Sequence, residues 1–452
     1  MTSIADLERQ LDSFNPDERR AALAELASAA KRGDVRFPQP MPHHNLHCHT
    51  FFSYNAWGYS PSRVAWECRK QGLSMAATVD FDVLDAMDEI HAAGDLLDLP
   101  TSAGLETRVF VPELADKEIN SPGEPGVAYF MGTGFAQLPP KGSAEEKTLR
   151  AMRTQADDRN RDMLRRINSF LAEVQTHYEG DVLSLTPRGN ATERHMLEAL
   201  ETAAAKTMPD TDKRASWWTH KLGIDAQLVR TMMGDSPKFR DTLRAKLMKR
   251  GGVGYVAPDR TTFPDVDAVI AMIRSARALP TIAWLDGASA GEADNGALVS
   301  LFQKKGCLVM NIIPDRNWNI TDPIQRADKV LKFHDMVRVC READMPVIVG
   351  TEMNKAGQKF VDTFDAPEMA AVAEAFHEGA AFLYGHTLME RALGPGRASD
   401  WSKAAYRMAR EANAFYMAIG RTRMTPVQAL AALRPLPAAH TAADARKALG
   451  VA

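Results

Sequence analysis

Short apolar runs alternate with longer amphipathic stretches over most of the chain, from about residue 45 to residue 390. The short runs have the length of buried strands, and the longer stretches repeat their apolar positions at helical spacing. Strands that alternate with helices favour parallel pairing, and about seven or eight such units in one chain favour a barrel over an open sheet. The strand-like runs after the first, which leads into HCHT, are 75–79, 101–105, 127–135, 182–186, 281–285, 307–313, 346–350 and 380–384.

Helical patterns flank and interrupt this alternation. Residues 1–42 predict two short helices followed by a proline-rich break, and residues 391–452 return to helical spacing. The stretch at about 200–262 is rich in charged residues and helix formers, which predicts a helical insertion on the barrel. The predicted organisation is an N-terminal helical segment (1–42), a barrel with its insertion (43–390) and a C-terminal helical region (391–452).

Composition narrows the classes of function. Hydrophobic residues make up 45% and charged residues 25%, values typical of a folded globular chain. The formal net charge of -3 favours neither nucleic acid nor an anionic membrane as a partner. The four cysteines form no CxxC pair, and no apolar run approaches the roughly 20 residues of a membrane span. We therefore expect a cytoplasmic protein that acts on a small molecule, with a homo-oligomer left open.

Polar side chains follow the predicted strands at the point where each strand ends. In a parallel barrel, the carboxyl ends of all strands share one rim, and this rim hosts the active site. Residues that are far apart in sequence are therefore expected to converge there. They are His47, His49, Asp80, Glu106, Arg188, Asp286, Asp315, Arg316, Glu352 and Asn354.

The sequence His47-Cys48-His49 places two imidazoles one residue apart on the first strand. Alternate residues of a strand share a face, so both rings point to the same side. Two neutral imidazoles on one face are a natural ligand pair for Zn²⁺, Mn²⁺ or Fe. An isolated HxH is equally consistent with two polar residues that end a strand and bind no metal, so the interpretation depends on the surrounding sequence.

The stretch HCHTFFSYNAWGYSPSRVAWECRKQGLSMAATVDFDVLDAMDE, followed by GLETRV, resembles the first two motifs of the PHP (polymerase and histidinol phosphatase) family. In that family an HxHT strand is followed by a serine-containing loop and a helix, then by a strand that ends in Asp-His, and then by Gly-x-Glu. The resemblance is specific over residues 45–110 and diffuse over 180–390. It implies a distorted (β/α)7-type barrel, a site for up to three divalent metals, and phosphoester hydrolysis.

Carried over motif by motif, the resemblance implies a set of metal ligands: His47, His49, Asp80, Glu106, His195, Glu352 and Asn354. His195, in GNATERH, equally suits a buried and hydrogen-bonded role. Two positions depart from the family pattern, since Phe81 replaces the histidine of Asp-His and Asn354 replaces the terminal histidine. We therefore expect a reduced site with one or two ions of Zn, Mn or Fe.

The leading prediction is a metal-dependent hydrolase, most plausibly a phosphoesterase acting on a small phosphorylated molecule. A divalent metal on His47, His49 and Glu106 would lower the pKa of a bound water towards roughly 7. The predicted catalytic residues are Asp286, Glu352 and Arg188, with either carboxylate as general base or water-orienting group. The residues predicted to hold a substrate phosphate or carboxylate are Arg194, Arg316, Asn317 and Lys355.

Two other functions compete with this prediction. One is a metal-dependent lyase or isomerase, or a C–N hydrolase resembling the amidohydrolases, which also carry HxH on the first strand. The other is a barrel of PHP type that has lost its metals and serves as a ligand-binding protein, which Phe81 and Asn354 favour.

Overall fold

Seven strands form one sheet whose spatial order follows the chain. A computed structural model describes residues 2–451. A parallel bridge between Cys48 and Glu352 joins the first strand to the segment after the last, so the sheet is nearly closed. The predicted distorted (β/α)7-type barrel with helical additions is thereby confirmed. The strands are β1 (His44–Cys48), β2 (Met75–Phe81), β3 (Thr101–Phe110), β4 (Val127–Thr133), β5 (Leu279–Trp284), β6 (Val309–Ile312) and β7 (Val347–Val349).

Strand β4 runs antiparallel to both of its neighbours, whereas the other neighbouring pairs are parallel. The prediction of parallel pairing throughout is wrong at this strand. Between β3 and β4 lie a single 3₁₀ turn (Pro112–Leu114) and a turn-rich segment. A parallel partner needs a crossover of a dozen or more residues, usually a helix, so this short irregular connection returns the chain in the opposite direction.

Helices account for most of the remaining chain. Many begin at the residues that the sequence marks as helix starts: Ser60, for example, precedes Pro61, and its side chain accepts the Arg63 N–H. The helices are α1 (Ile4–Gln10), α2 (Pro16–Arg32), α3 (Pro61–Lys70), α4 (Met87–Leu97), α5 (Ala144–Leu171), α6 (Glu193–Thr207), α7 (Thr211–Leu222), α8 (Ala226–Met233), α9 (Ser236–Leu243), α10 (Val266–Ser275), α11 (Asn295–Lys305), α12 (Asp315–Trp318), α13 (Pro323–Glu342), α14 (Pro367–Ala370), α15 (Ala373–Ala392), α16 (Asp400–Ala405), α17 (Ala409–Gly420), α18 (Pro426–Leu433) and α19 (Ala442–Leu449).

The C-terminal helices cover the barrel end opposite the rim. Leu279, the first residue of β5, and Met75, the first of β2, share a hydrophobic cluster with Phe382 of α15. The strand predicted at 380–384 is wrong, because these residues lie inside α15. That part of α15 is buried on all sides, so its apolar run lacks helical periodicity and resembles a buried strand.

A second hydrophobic cluster lies among the helices between β4 and β5 and extends from Leu164 in α5 to Met248. It includes the segment for which a strand was predicted at 182–186. That prediction is wrong: the chain forms a π turn (Tyr178–Val182) and a 3₁₀ turn (Leu183–Leu185) instead. Its apolar side chains pack between helices rather than in the sheet.

Helices α15 and α17 cross at short range where Gly385 and Gly420 face each other. A Cβ on Gly385 would collide with the Tyr416 carbonyl. We therefore expect Gly385→Ala to lower the free energy of unfolding by about 1–3 kcal/mol, measured by urea denaturation. Gly296→Ala in α11 is the control, because its Cβ would find only Asp294 Oδ1, at 3.5 Å. Because the space at this position of α11 is open, we expect Gly296→Ala to raise the free energy of unfolding by up to about 1 kcal/mol. Equal effects of the two variants would contradict the close crossing.

The four cysteines are all buried and free. Among the helices within residues 2–451, none is both long and apolar enough to pass through a lipid bilayer.

Candidate metal centre

Three side chains that could bind a metal converge inside the rim of the barrel. Glu106 Oε2 lies 3.6 Å from His47 Nε2 and 3.3 Å from His49 Nε2. All three residues are buried, and one ligand atom from each lies within 4.8 Å of the others. Among the described residues, this is the one group of three or more His, Cys, Asp or Glu side chains with such an arrangement.

The sheet places these three residues. His47 lies on β1 and His49 directly follows that strand, while Glu106 lies on β3. Strand β2 runs between them, and its last residue, Phe81, is in register with Glu106. The centre therefore joins the end of β1 to Glu106 across the intervening strand, and the prediction that Glu106 ends its strand is wrong because pairing with β4 extends β3 to Phe110.

Hydrogen bonds to the Nδ1 atoms set the tautomer of both histidines. Asn311 donates its amide to Ile348 O, and its Oδ1 lies 2.9 Å from His47 Nδ1. Ser53 donates to Asp80 Oδ1, so its oxygen is left to accept from His49 Nδ1, 3.1 Å away. With the proton on Nδ1, each ring presents a bare Nε2 lone pair to the Glu106 side.

These two Nε2 atoms are buried, and neither has a hydrogen-bond partner among the described residues. Buried polar atoms are rarely left unpaired, so these two lone pairs indicate a site for a bound ion. Two imidazole nitrogens and a carboxylate oxygen are ligands suited to Zn²⁺, Mn²⁺ or Fe²⁺. The residues present therefore fit a divalent cation.

The electrostatics of the three groups agree with a cation site. Burial raises the pKa of Glu106, but hydrogen bonds and positive charge from His47 and His49, present when these rings are protonated at Nε2 in place of a bound cation, outweigh it and hold that pKa at about 2. Burial likewise acts against the charged form of His47, whose pKa is nevertheless raised by Glu106. The pocket thus carries a buried negative charge that positive charge stabilises.

Asp80 is hydrogen-bonded to residues of the loop that follows β1, one of which contacts His49. Its carboxylate accepts the Thr50 N–H at 2.8 Å, the Thr50 hydroxyl at 2.7 Å and the Ser53 hydroxyl at 2.6 Å. It therefore lies outside the group of converging ligand atoms and instead orients Ser53 beneath His49. Burial is the main cause that raises the pKa of Asp80.

Ser53→Ala tests this supporting contact. Loss of the bond to His49 Nδ1 frees the ring to change tautomer and orientation, so we expect metal affinity to fall by about 10- to 100-fold. Competition with a chromogenic chelator measures it. Ser62→Ala is the matched control, since Ser62 is also buried but bonds to Glu89 Oε1 at 2.8 Å. Unchanged affinity in Ser53→Ala would show that the serine does not position the ligand.

Other predicted ligands lie apart from the centre. His195 Nδ1 accepts the Thr192 N–H at 3.1 Å and thereby caps α6. Burial lowers the His195 pKa to about 3, so its ring is neutral. Asn354 is partly buried in the loop after β7 and is not in the converging group. Phe81 stacks on His49 with ring centroids 4.3 Å apart, so an apolar ring lies beside this ligand.

Glu352 and Arg316 form an ion pair beside the centre. Arg316 Nη2 lies 2.6 Å from Glu352 Oε2, which also accepts from Gln358 at 2.9 Å. The Glu352 charge acts on His47, and Glu352, followed by Glu106, raises the pKa of Arg316. The Arg316 side chain is 46% exposed, so it faces both the centre and solvent.

The remaining predicted residues have other partners. Asp286 Oδ2 lies 2.7 Å from Lys329 Nζ. Asn317 is buried and donates its amide to the carbonyls of Leu285 and Ile313, a structural role. The other three contact acidic residues of neighbouring loops and helices: Arg188 lies 3.4 Å from Asp85, and Asp241 pairs with both Arg194 (2.7 Å) and Lys355 (3.1 Å).

Sequence reasoning missed several residues around the centre. Arg108 lies two positions after Glu106 on β3, so strand periodicity alone could have placed both on one face. Tyr129 pairs with Arg108 across the antiparallel β3–β4 ladder. This pairing, like the contact of Asn311 with His47, requires knowledge of which strands are neighbours.

Comparison with known proteins gives no close relative. No protein-family model matches the chain, and no curated protein matches it. One solved structure, an amidohydrolase from Chromobacterium violaceum with bound sulfate and no metal, has 14% identity and a TM-score of 0.45, covering 74% of this chain and 96% of its own. Another, a provisionally assigned metal-dependent phosphoesterase from Bifidobacterium adolescentis, has 16% identity and a TM-score of 0.44, covering 75% and 98%. At this distance neither likeness identifies a function, and the resemblance to PHP proteins stays a prediction.

Proposed function

We propose that this chain is a metal-dependent hydrolase that holds one divalent cation on His47, His49 and Glu106 and cleaves a phosphoester of a small molecule. One observation carries the proposal. Two buried imidazole Nε2 atoms, each with its Nδ1 already bonded, face a buried carboxylate and have no hydrogen-bond partner among the described residues. The buried position of these ligands inside a barrel rim favours a small substrate over a macromolecule.

A cation on these ligands would supply Lewis-acid polarisation and a lowered pKa for water. We propose one ion because the Phe81 ring stacks on His49, at a position where a second ion would need a further ligand. Zn²⁺, Mn²⁺ and Fe²⁺ all suit two imidazoles and a carboxylate.

Arg316 and Glu352 are proposed to act on the substrate. Arg316 uses one terminal nitrogen for Glu352, and its remaining N–H groups can bind phosphoryl oxygens that gain charge during the reaction. Glu352 would accept the proton of the attacking water as the new P–O bond forms, and this proton would pass to the leaving oxygen as the old P–O bond breaks, so that the alcohol is released. Glu352 is preferred to Asp286 as the base because the Glu352 charge acts on His47 at the centre, whereas Asp286 pairs with Lys329.

The phosphoester assignment follows from charge. The centre combines a cation site with a guanidinium that reaches solvent, and a phosphate monoester is a dianion that both groups can bind.

Metal analysis of the purified full chain and hydrolysis of an aryl phosphate test the proposal together. About one bound divalent ion per chain with metal-dependent turnover is the expected result. Metal without phosphatase activity would overturn the phosphoester assignment in favour of a lyase, an isomerase or a C–N hydrolase. If the chain binds none of Zn²⁺, Mn²⁺ and Fe²⁺, the proposal is overturned and a ligand-binding protein is favoured.

A further inference from the structure

Four basic side chains gather beside the metal centre, and we refer to them as the basic cluster: Arg108, Arg159, Arg244 and Lys249. Arg108 comes from β3 and Arg159 from α5, while Arg244 and Lys249 lie at the two ends of the π turn Arg244–Met248. Three of the four therefore come from the helical insertion and the helix that leads into it. None of them was singled out by the sequence motifs.

The basic cluster lies next to Glu106. Arg108 and Glu106 are alternate residues of β3, so they share a face and their Cα atoms are roughly 7 Å apart. Tyr129, opposite Arg108 on β4, interacts electrostatically with Arg108, Arg244 and Glu106. The Tyr129 ring thus connects the metal centre and the basic cluster.

Two guanidinium groups of the cluster contact the same aromatic ring. The Arg108 and Arg159 carbons Cζ lie 4.3 and 4.6 Å from the centre of the same ring, that of Phe263. Burial, and then the Arg108 charge, lower the pKa of Arg159 to about 10. Asp82, Glu124 and Glu193 offset part of this charge, which leaves four basic groups against three carboxylates and one positive charge uncompensated.

The carboxylates near the cluster do not use all of its donors. Glu193 lies 2.7 Å from Arg244 Nε and 2.9 Å from Lys249 Nζ, and Glu124 lies 3.0 Å from Arg108 Nη1. Arg159 donates to the Thr262 carbonyl through Nη1 alone. Within residues 2–451, Nη1 and Nη2 of Arg244 and Nη2 of Arg159 donate no hydrogen bond, so fixed N–H donors remain for a ligand.

We infer that the basic cluster is an anion-binding subsite that holds a second anionic group of the substrate, a phosphate or a carboxylate, while the reacting group lies at the metal centre. The role in catalysis rests on the proposed function, but the binding of an anion does not. The preferred substrate therefore carries two anionic groups, one for the metal centre and one for the basic cluster. The insertion then sets substrate specificity, and the barrel supplies the chemistry.

Inorganic phosphate and malonate, titrated calorimetrically into the EDTA-treated full chain, test the subsite without metal. We expect saturable binding of one anion. Arg159→Met and Lys249→Met should weaken it about tenfold or more, because each removes a charge-assisted donor. Arg166→Met is the matched control, since Arg166 also lies on α5 and donates to a backbone carbonyl, that of Gly254. Tighter binding of phosphate than of malonate would assign the group as a phosphate, and the reverse order as a carboxylate.

Unfolding measurements separate a binding role from a structural one. Because Arg159 is repelled by Arg108, Arg159→Met should keep the urea midpoint of the anion-free protein while losing the stabilisation that phosphate gives the wild type. A lowered midpoint with unchanged phosphate affinity would overturn the subsite, as would the absence of phosphate binding to the wild type. Glu106→Gln should still bind phosphate here. If the wild type binds phosphate but hydrolyses no phosphoester, the proposed function fails while the subsite stands.

Discussion

Glu106→Gln is expected to lower turnover by about a thousandfold and to leave the purified protein without bound metal. Glu106 is the one anionic member of the converging group, and a neutral amide cannot offset a divalent charge between two neutral imidazoles. Loss of the cation removes several kcal/mol of transition-state stabilisation, which corresponds to about this factor. Steady-state kinetics and elemental analysis of the same preparation measure the two effects.

The control for this variant is Glu390→Gln. Glu390 is also a buried glutamate, but it lies on α15, away from the rim, where it accepts the Gly396 N–H at 2.7 Å. Burial raises its pKa to about 7, so the amide replaces a group that is partly neutral at neutral pH. We expect normal metal content and near-normal turnover. A Glu106→Gln protein that keeps metal and rate would contradict the proposed ligand set.

Arg316→Ala is expected to lower kcat/KM for a phosphate monoester by about a hundredfold while metal content is unchanged. The guanidinium pairs with Glu352 and feels the charge of Glu106, so its loss removes donors for the phosphoryl oxygens and leaves Glu352 without its partner. Arg316→Lys should recover only part of the rate, since an ammonium cannot donate two parallel hydrogen bonds.

Arg326→Ala is the matched control for Arg316. Its guanidinium is 41% exposed, close to the 46% of Arg316, and it also pairs with a glutamate, Glu368. We expect no more than a small change in rate, because Arg326 lies on α13 and pairs with a residue outside the centre. Equal losses in Arg316→Ala and Arg326→Ala would mean that Arg316 acts only through folding.

The pattern of apolar runs was enough to predict the barrel, because strand ends and helix caps are local features. It failed where tertiary surroundings override local pattern. The segment 380–384 resembles a strand because the C-terminal helices bury α15 on every side. Likewise β4 reverses direction because its connection to β3 contains no crossover helix, a property of the connection rather than of the strand.

The candidate site was predictable in part for the same reason. His47, His49 and Glu106 follow from strand periodicity and the shared rim, and the structure brings them together. Asp80 also lies on a strand end, but its direction towards Thr50 and Ser53 depends on the loop after β1. The contact of Asn311 with His47 joins residues 264 positions apart, and such a contact cannot be predicted from the local sequence.

Anomalous X-ray diffraction from crystals of the full chain soaked with Mn²⁺ or Zn²⁺ tests the central claim most directly. The account predicts one strong peak inside the barrel rim, about 2.1 Å from His47 Nε2, His49 Nε2 and a carboxylate oxygen of Glu106. No peak there, or a peak bound by other residues while these three keep their contacts, would contradict it.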